Sequence, residues 1–135
     1  MNRISLVRLF VAGLCMLAAD TFAADTIKIA HIDPLSGPFA LQGESGSRHI
    51  QAAIDEINAR GGVLGGIKLE MVELDNKSSP QESLVALKQA IDQGIHYVTQ
   101  GNGSHVGHAL SDGVLKHNQR NPNTDQSFAD VIHGR

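Results

Sequence analysis

Two hydrophobic periods take turns along this chain. The run Ile27-Lys28-Ile29-Ala30-His31-Ile32 is short and β-branched, and Asp33-Pro34 and Ser36-Gly37-Pro38 stop it, which predicts a first strand. After a loop over Asp33 to Gly46, Ile50, Ala53, Ile54 and Ile57 fall at i, i+3, i+4 and i+7. That spacing predicts a helix, closed by the left-handed stop Gly61-Gly62. Ile67, Leu69 and Met71 then alternate with Lys68 and Glu70 as far as Leu74, and period two marks a second strand. Ser79-Pro80-Gln81-Glu82 has the form of a capping box: the Ser79 hydroxyl accepts an amide three residues on, Glu82 reaches back, and Pro80 lacks a donor only where none is needed. A second helix follows, with Leu84, Leu87 and Ile91 on its apolar face and Gly94 at its end. Ile95 to Thr99 predicts a third strand and Gln100 to Gly103 a loop. Ser104 is a candidate cap for a third helix, whose Val106, Leu110 and Val114 share a face.

The order is therefore βαβαβα. Strands separated by helices this long join in parallel through crossovers, which predicts an α/β fold with a parallel, Rossmann-like sheet. Such sheets bind ligands beyond the carboxyl ends of their strands, where helix amino termini expose unpaired amides. The loops Asp33 to Gly46 and Gln100 to Ser104 occupy that position. At the second of these, bare amides aided by the Ser104 hydroxyl would hold a ligand carboxylate; the alternative is that Ser104 only caps its own helix.

Charge and composition narrow the partners. Eleven Lys and Arg against 14 Asp and Glu give a net charge of −3, and the 135 residues hold one Tyr and no Trp. Neither the basic stripe nor the stacking platform of a nucleic-acid binder is present. Arg3 and Arg8 precede an almost wholly apolar Leu9 to Ala19, and Thr21-Phe22-Ala23 has the small residues of a signal-peptidase site. Cleavage after Ala23 is expected, leaving a chain with no membrane span, because Asp20 stops the apolar run short of the about 20 residues a span needs. Cys15 lies inside that run and Leu14 before it is too bulky for a lipoprotein signal, so the mature chain has no cysteine for a disulfide, metal or nucleophile. Loss of Arg3, Arg8 and Asp20 takes the net charge to −4.

Catalytic and cofactor motifs are missing. Gly101-Asn102-Gly103-Ser104-His105-Val106-Gly107 follows a strand and opens a helix, but its glycine spacing is one residue too long for a dinucleotide fingerprint. Lys77-Ser78 has no glycine turn before it, so there is no phosphate loop, and Gly43-Glu44-Ser45-Gly46 is one residue short of a nucleophile elbow. Among seven histidines, His105 and His108 sit at i, i+3 with His117 beyond, yet no carboxylate or cysteine joins them at a metal-ligand spacing. No catalytic constellation survives, and no metal or cofactor is expected.

One ordered series of residues carries a resemblance. Ile27 to Ile32 with Pro34-Leu35-Ser36-Gly37-Pro38, then Gln42-Gly43, then Ile57-Asn58-Ala59-Arg60-Gly61-Gly62-Val63-Leu64-Gly65-Gly66, resembles the opening of the branched-chain amino acid class of ABC-transporter periplasmic binding proteins. The likeness runs on through Leu74-Asp75-Asn76, Pro80, Ala90 to Gly94, Tyr97-Val98 and the glycine-serine loop, about Thr26 to Asn118 in all. It implies a partial amino-terminal lobe of a two-lobed type I binding fold that closes on a small solute, an amino acid or a related carboxylate or amide. It further implies residence in the periplasm and delivery to a membrane permease and its ATPase. The family grips the ligand carboxylate with the loop after the third strand, which corresponds to Asn102, Gly103 and Ser104. A residue over the ligand, often aromatic in the family, corresponds to Gln42, and this departure leaves room for solutes other than leucine or isoleucine, including urea-like ones.

The expected layout is a signal peptide over residues 1–23, the partial lobe over 24–118, and an irregular tail over 119–135 with no fourth strand, where truncation of a longer protein is expected. Two rival readings stay open: a ligand sensor of the same fold without transport, and a small flavodoxin-like nucleotide-binding domain.

Overall fold

The computed structural model describes residues 26–122, 128 and 131–133; the expected signal peptide lies outside them. Strand β1 (Thr26–Asp33) leads through a 3-10 turn (Gly37–Phe39) into helix α1 (Ala40–Ala59), then β2 (Lys68–Asp75), α2 (Pro80–Asp92), β3 (Tyr97–Gln100), α3 (Ser104–Arg120) and a short β4 (Val131–His133). The strands form one parallel sheet in the order β2-β1-β3-β4. Thr26 lies opposite Lys68 and Asp33 opposite Asp75, while Ala30 faces Val98 on the other side. The expected α/β class and parallel topology are those observed.

Alternation along β1 splits the molecule into two unlike layers. Ala30 and Ile32 point to the face covered by α2 and α3, where they join Leu87, Ala90, Ile95, Val98, Val106, Leu110 and Val114 in the apolar core. His31 and Asp33, both fully buried, point to the face covered by α1. Small residues there let α1 come close: a Cβ on Gly43 would meet the Pro34 backbone, with its carbonyl carbon at 2.7 Å, and one on Gly46 would lie 3.5 Å from Asp33 Oδ2. Asn58 ties the far end of this helix to β2, its side-chain amide donating to the Leu69 carbonyl at 2.8 Å and its oxygen accepting the Leu69 amide at 2.9 Å.

Four expectations need correction. The loop after β1 ends before Gly37 rather than at Gly46, because the 3-10 turn runs straight into α1; Gln42 is therefore a residue of the first helical turn. The Ser79 cap is present, its hydroxyl accepting the Glu82 amide at 3.4 Å, but Glu82 turns outward to Lys77 at the same distance, so the reciprocal half of the box is not made. Helix α2 buries Ser83, Ala86, Leu87 and Ala90, whereas Leu84 is 45% exposed. The tail is not wholly irregular: β4 extends the sheet in register with β3, and Phe128 is buried in the core with its amide and carbonyl both bonded to the Asn118 side chain, at 2.9 and 3.0 Å.

Candidate functional site

The strand order changes direction at β1, so the chain leaves β1 toward one side of the sheet and reaches β3 on the other. A crevice opens at such a point beyond the carboxyl ends of the strands. It is a cleft of about 270 Å³ lined by Pro34, Phe39, Gln42, Ser78, Asn102, Gly103 and His105. Gln42, Asn102 and Gly103, singled out from the sequence, are thus brought together. Ser104, the fourth, is not among the lining residues but is exposed at the first position of α3, immediately beside them.

Three loops build the cleft, one more than the sequence suggested. The turn after β2 supplies Ser78, held by Asn76: the fully buried Asn76 side chain donates to the Ile32 carbonyl at 3.2 Å and accepts the Ser78 amide at 2.9 Å. Lys77 and Ser78 both take left-handed backbone conformations, φ 51 and 57, which side-chain-bearing residues adopt at a cost. Asp75 holds the base of this turn, accepting the amides of Leu35 and Lys77, each at 2.9 Å. Burial pushes the Asp75 carboxyl upward, but these amides, the Ser36 hydroxyl and the Lys77 charge together hold it below the ordinary value. In the sequence Ser78 stands out only within Lys77-Ser78, which has no glycine turn to make it a phosphate loop.

Helix α3 presents its amino terminus to the cleft. Gly103 is the cap residue at φ 87, and Ser104 does not cap the helix through its side chain, contrary to one of the two roles considered for it. The Gly103 carbonyl accepts the Val106 and Gly107 amides at 3.1 and 3.0 Å, and the Asn102 and Gly103 carbonyls are drawn back by the Gln100 side chain. The amides of Ser104 and His105 belong to the helical turn that has no partner of its own further back, so they are donors available to an anion. His105 donates from Nε2 to the Ser78 carbonyl at 3.2 Å, which joins the second and third loops.

Beneath the cleft lies a buried polar row that no motif announced. Asp33 bonds the Gly101–Asn102 turn, and His31 lies beside it with Nε2 3.5 Å from Asp33 Oδ2 and Nδ1 2.8 Å from Thr99 Oγ1. Burial pulls the His31 imidazole below its ordinary value against the opposing pull of Asp33 and Glu73, so it is neutral near pH 7. Among the described residues no group of His, Cys, Asp and Glu could hold a metal ion, and no helix is long and apolar enough to cross a membrane.

A doubly wound parallel sheet with a cleft at its switch point defines the chain as part of an α/β domain. Residues 26–121 match the model of the periplasmic binding protein family, and the chain belongs to that family. It is 36% identical over 107 residues to the leucine-, isoleucine-, valine-, threonine- and alanine-binding protein of Pseudomonas aeruginosa, covering 78% of this chain and 26% of that one. It is 35% identical over 102 residues to the leucine-specific-binding protein of Salmonella typhimurium, covering 75% and 26%. Among solved structures, the leucine-, isoleucine-, valine-, threonine- and alanine-binding protein of Brucella ovis in its closed conformation superposes with a TM-score of 0.70 at 31% identity, covering 82% of this chain and 27% of that one. The branched-chain amino acid transporter substrate-binding protein of Streptococcus pneumoniae, in complex with isoleucine, does so at 0.58 and 29% identity, covering 68% and 26%. The chain spans about a quarter of the length of these relatives.

Proposed function

We propose that this chain is the ligand-gripping part of the first lobe of an exported solute-binding protein, which captures branched-chain amino acids or related small carboxylates and amides in the periplasm for an ABC permease and its ATPase. One observation carries the reading: in a chain of this family, Gln42, Asn102 and Gly103 line one cleft directly in front of the first-turn amides of α3. A ligand carboxylate at the Ser104 and His105 amides would gain charge-assisted hydrogen bonds and the helix dipole, with the Ser104 hydroxyl as a third donor. Phe39, 53% exposed on the cleft wall, offers an apolar surface to an aliphatic side chain. The carboxamide of Gln42 offers both a donor and an acceptor to a polar one. Closure of a second lobe over this half would complete the enclosure. No catalytic group, metal or cofactor enters the scheme.

Titration calorimetry of the intact protein with L-leucine, L-isoleucine, L-leucinamide and urea tests it. An aliphatic amino acid is expected to bind and its amide to bind far more weakly. Ser104→Ala removes one hydrogen bond to a charged group, worth about 1.5 kcal/mol or roughly tenfold in Kd. Unchanged affinity in that variant refutes the placement of the carboxylate, and equal binding of leucine and leucinamide refutes the anion grip altogether.

A further inference from the structure

The turn Gly101 to His105 is a run of consecutive backbone donors, and an anion could settle on any of them. Two are already taken. The carboxylate of Asp33, fully buried, accepts the Gly101 amide at 3.3 Å and the Asn102 amide at 3.0 Å through Oδ1, and the Asn102 side-chain amide at 2.7 Å through Oδ2. Three parts of the chain close on it. A Cβ on Gly46 of α1 would stand 3.5 Å from Oδ2, one on Gly101 would stand 3.2 Å away, and His31 Nε2 lies 3.5 Å off on β1 itself. The carboxylate is held at the end of a strand that is paired on both sides, so its position is set by the sheet rather than by a mobile loop.

We propose that Asp33 is a positioning residue for ligand capture: by occupying the Gly101 and Asn102 amides it holds the turn in its binding shape while the cleft is empty and directs an incoming carboxylate to Ser104 and His105. The inference rests on the anion grip described under the proposed function. Two effects support it. A turn whose donors are satisfied by a fixed internal acceptor loses little conformational freedom when the ligand arrives, which is the gain expected from preorganisation. The occupied Gly101 and Asn102 amides also offer no free donor to a carboxylate that would slide toward β1, so the ligand has one register along the run of amides rather than several.

The test uses the intact protein and two substitutions. In Asp33→Ala, amide hydrogen exchange without ligand is expected to accelerate by about tenfold or more at Gly101 and Asn102 while the α2 amides are unaffected. L-leucine binding by calorimetry is expected to weaken by about tenfold, and added formate, a free carboxylate that fits the vacated space, is expected to restore both. Asp33→Asn, which keeps one acceptor but sets a donor against the Asn102 side chain, is expected to fall between the two and covers the case in which Asp33→Ala does not fold. Unchanged exchange at Gly101 and Asn102 overturns the proposal. So does a loss of affinity that formate does not recover, because that marks general damage to the fold. If the unsubstituted protein binds no leucine, the functional reading fails, and the exchange and formate arms still decide the role of Asp33.

Discussion

Replacing Gly43 by alanine adds one methyl group at the point where α1 crosses the end of β1. In an open helix interior that change would stabilise by about 1 kcal/mol, because alanine loses less backbone freedom than glycine. Here the new Cβ would stand 2.7 Å from the Pro34 carbonyl carbon, with the oxygen closer still, and both are backbone atoms that cannot rotate away. Pro34 has little freedom to retreat, since the amide of Leu35 is bonded to Asp75 at 2.9 Å. Overpacking of this kind costs about 3 kcal/mol, which sets a net loss of about 2 kcal/mol. Two other glycines inside helices serve as internal standards. At Gly46 the nearest atom to a new Cβ is Asp33 Oδ2 at 3.5 Å, an ordinary contact, so Gly46→Ala is expected to stabilise by up to about 1 kcal/mol. At Gly113 the neighbours are the Leu87 and Leu84 methyls at 2.7 and 2.9 Å, which rotate aside, so Gly113→Ala is expected within about 0.5 kcal/mol of neutral. Urea unfolding of the three variants, followed by far-ultraviolet circular dichroism, ranks them. If Gly43→Ala unfolds at the same urea concentration as Gly46→Ala, α1 does not lie against Pro34 as described, and Gln42 one residue away is not held over the cleft.

Other perturbations follow from the polar groups. The unfolded chain protonates His31 near its ordinary 6.5, but the buried ring resists protonation until lower pH, so stability should fall as the pH drops through 6.5 and level off once the folded ring also charges. Denaturation at a series of pH values, repeated on His31→Gln, should show a shallower fall in the variant; identical curves would remove His31 as the cause. Asn76→Ala should destabilise by about 2 kcal/mol by stranding the Ser78 amide and losing the bond to Ile32, and a midpoint equal to that of the parent protein would contradict the staple between β1 and β2. Lys77→Gly relieves a left-handed residue at φ 51 and should stabilise by up to about 1 kcal/mol in the same assay, whereas a clear loss would show that the Lys77 side chain supplies more than its backbone conformation costs.

Residues with a strong period were readable in advance. Val106, Leu110 and Val114 mark α3 because an apolar core requires that face, and Ser79-Pro80 marks the start of α2 because its local chemistry serves no other purpose as well. The first half of α1 was hidden for the opposite reason: its inner face is made by the small Gly43, Gly46 and Ser47, with Gly43 against Pro34 and Gly46 against Asp33 and His31, so it carries no apolar stripe to detect. On α2, Leu84 attracted notice by size and its methyl does reach Gly113 of α3, but the buried positions of the helix are Leu87 and the smaller Ser83, Ala86 and Ala90. The lining of the candidate cleft was legible where it is contiguous in the chain, at Asn102 and Gly103. Ser78 and Asp33 were not, since their roles depend on partners 27 and 69 residues away in the chain.

The same arrangement separates what holds the cleft from what lines its opening. Asp33 and Asn76 are interior struts whose hydrogen bonds end on backbone atoms and on Asn102, whereas Gln42 and His105 stand exposed at the rim. A substitution at Gln42 therefore changes the cleft lining without touching a hydrogen bond of the scaffold beneath. Under the proposed binding role, a library randomised at 42 would sample new specificities at little expense in folding, while the struts and the link from His105 to Ser78 stay untouched.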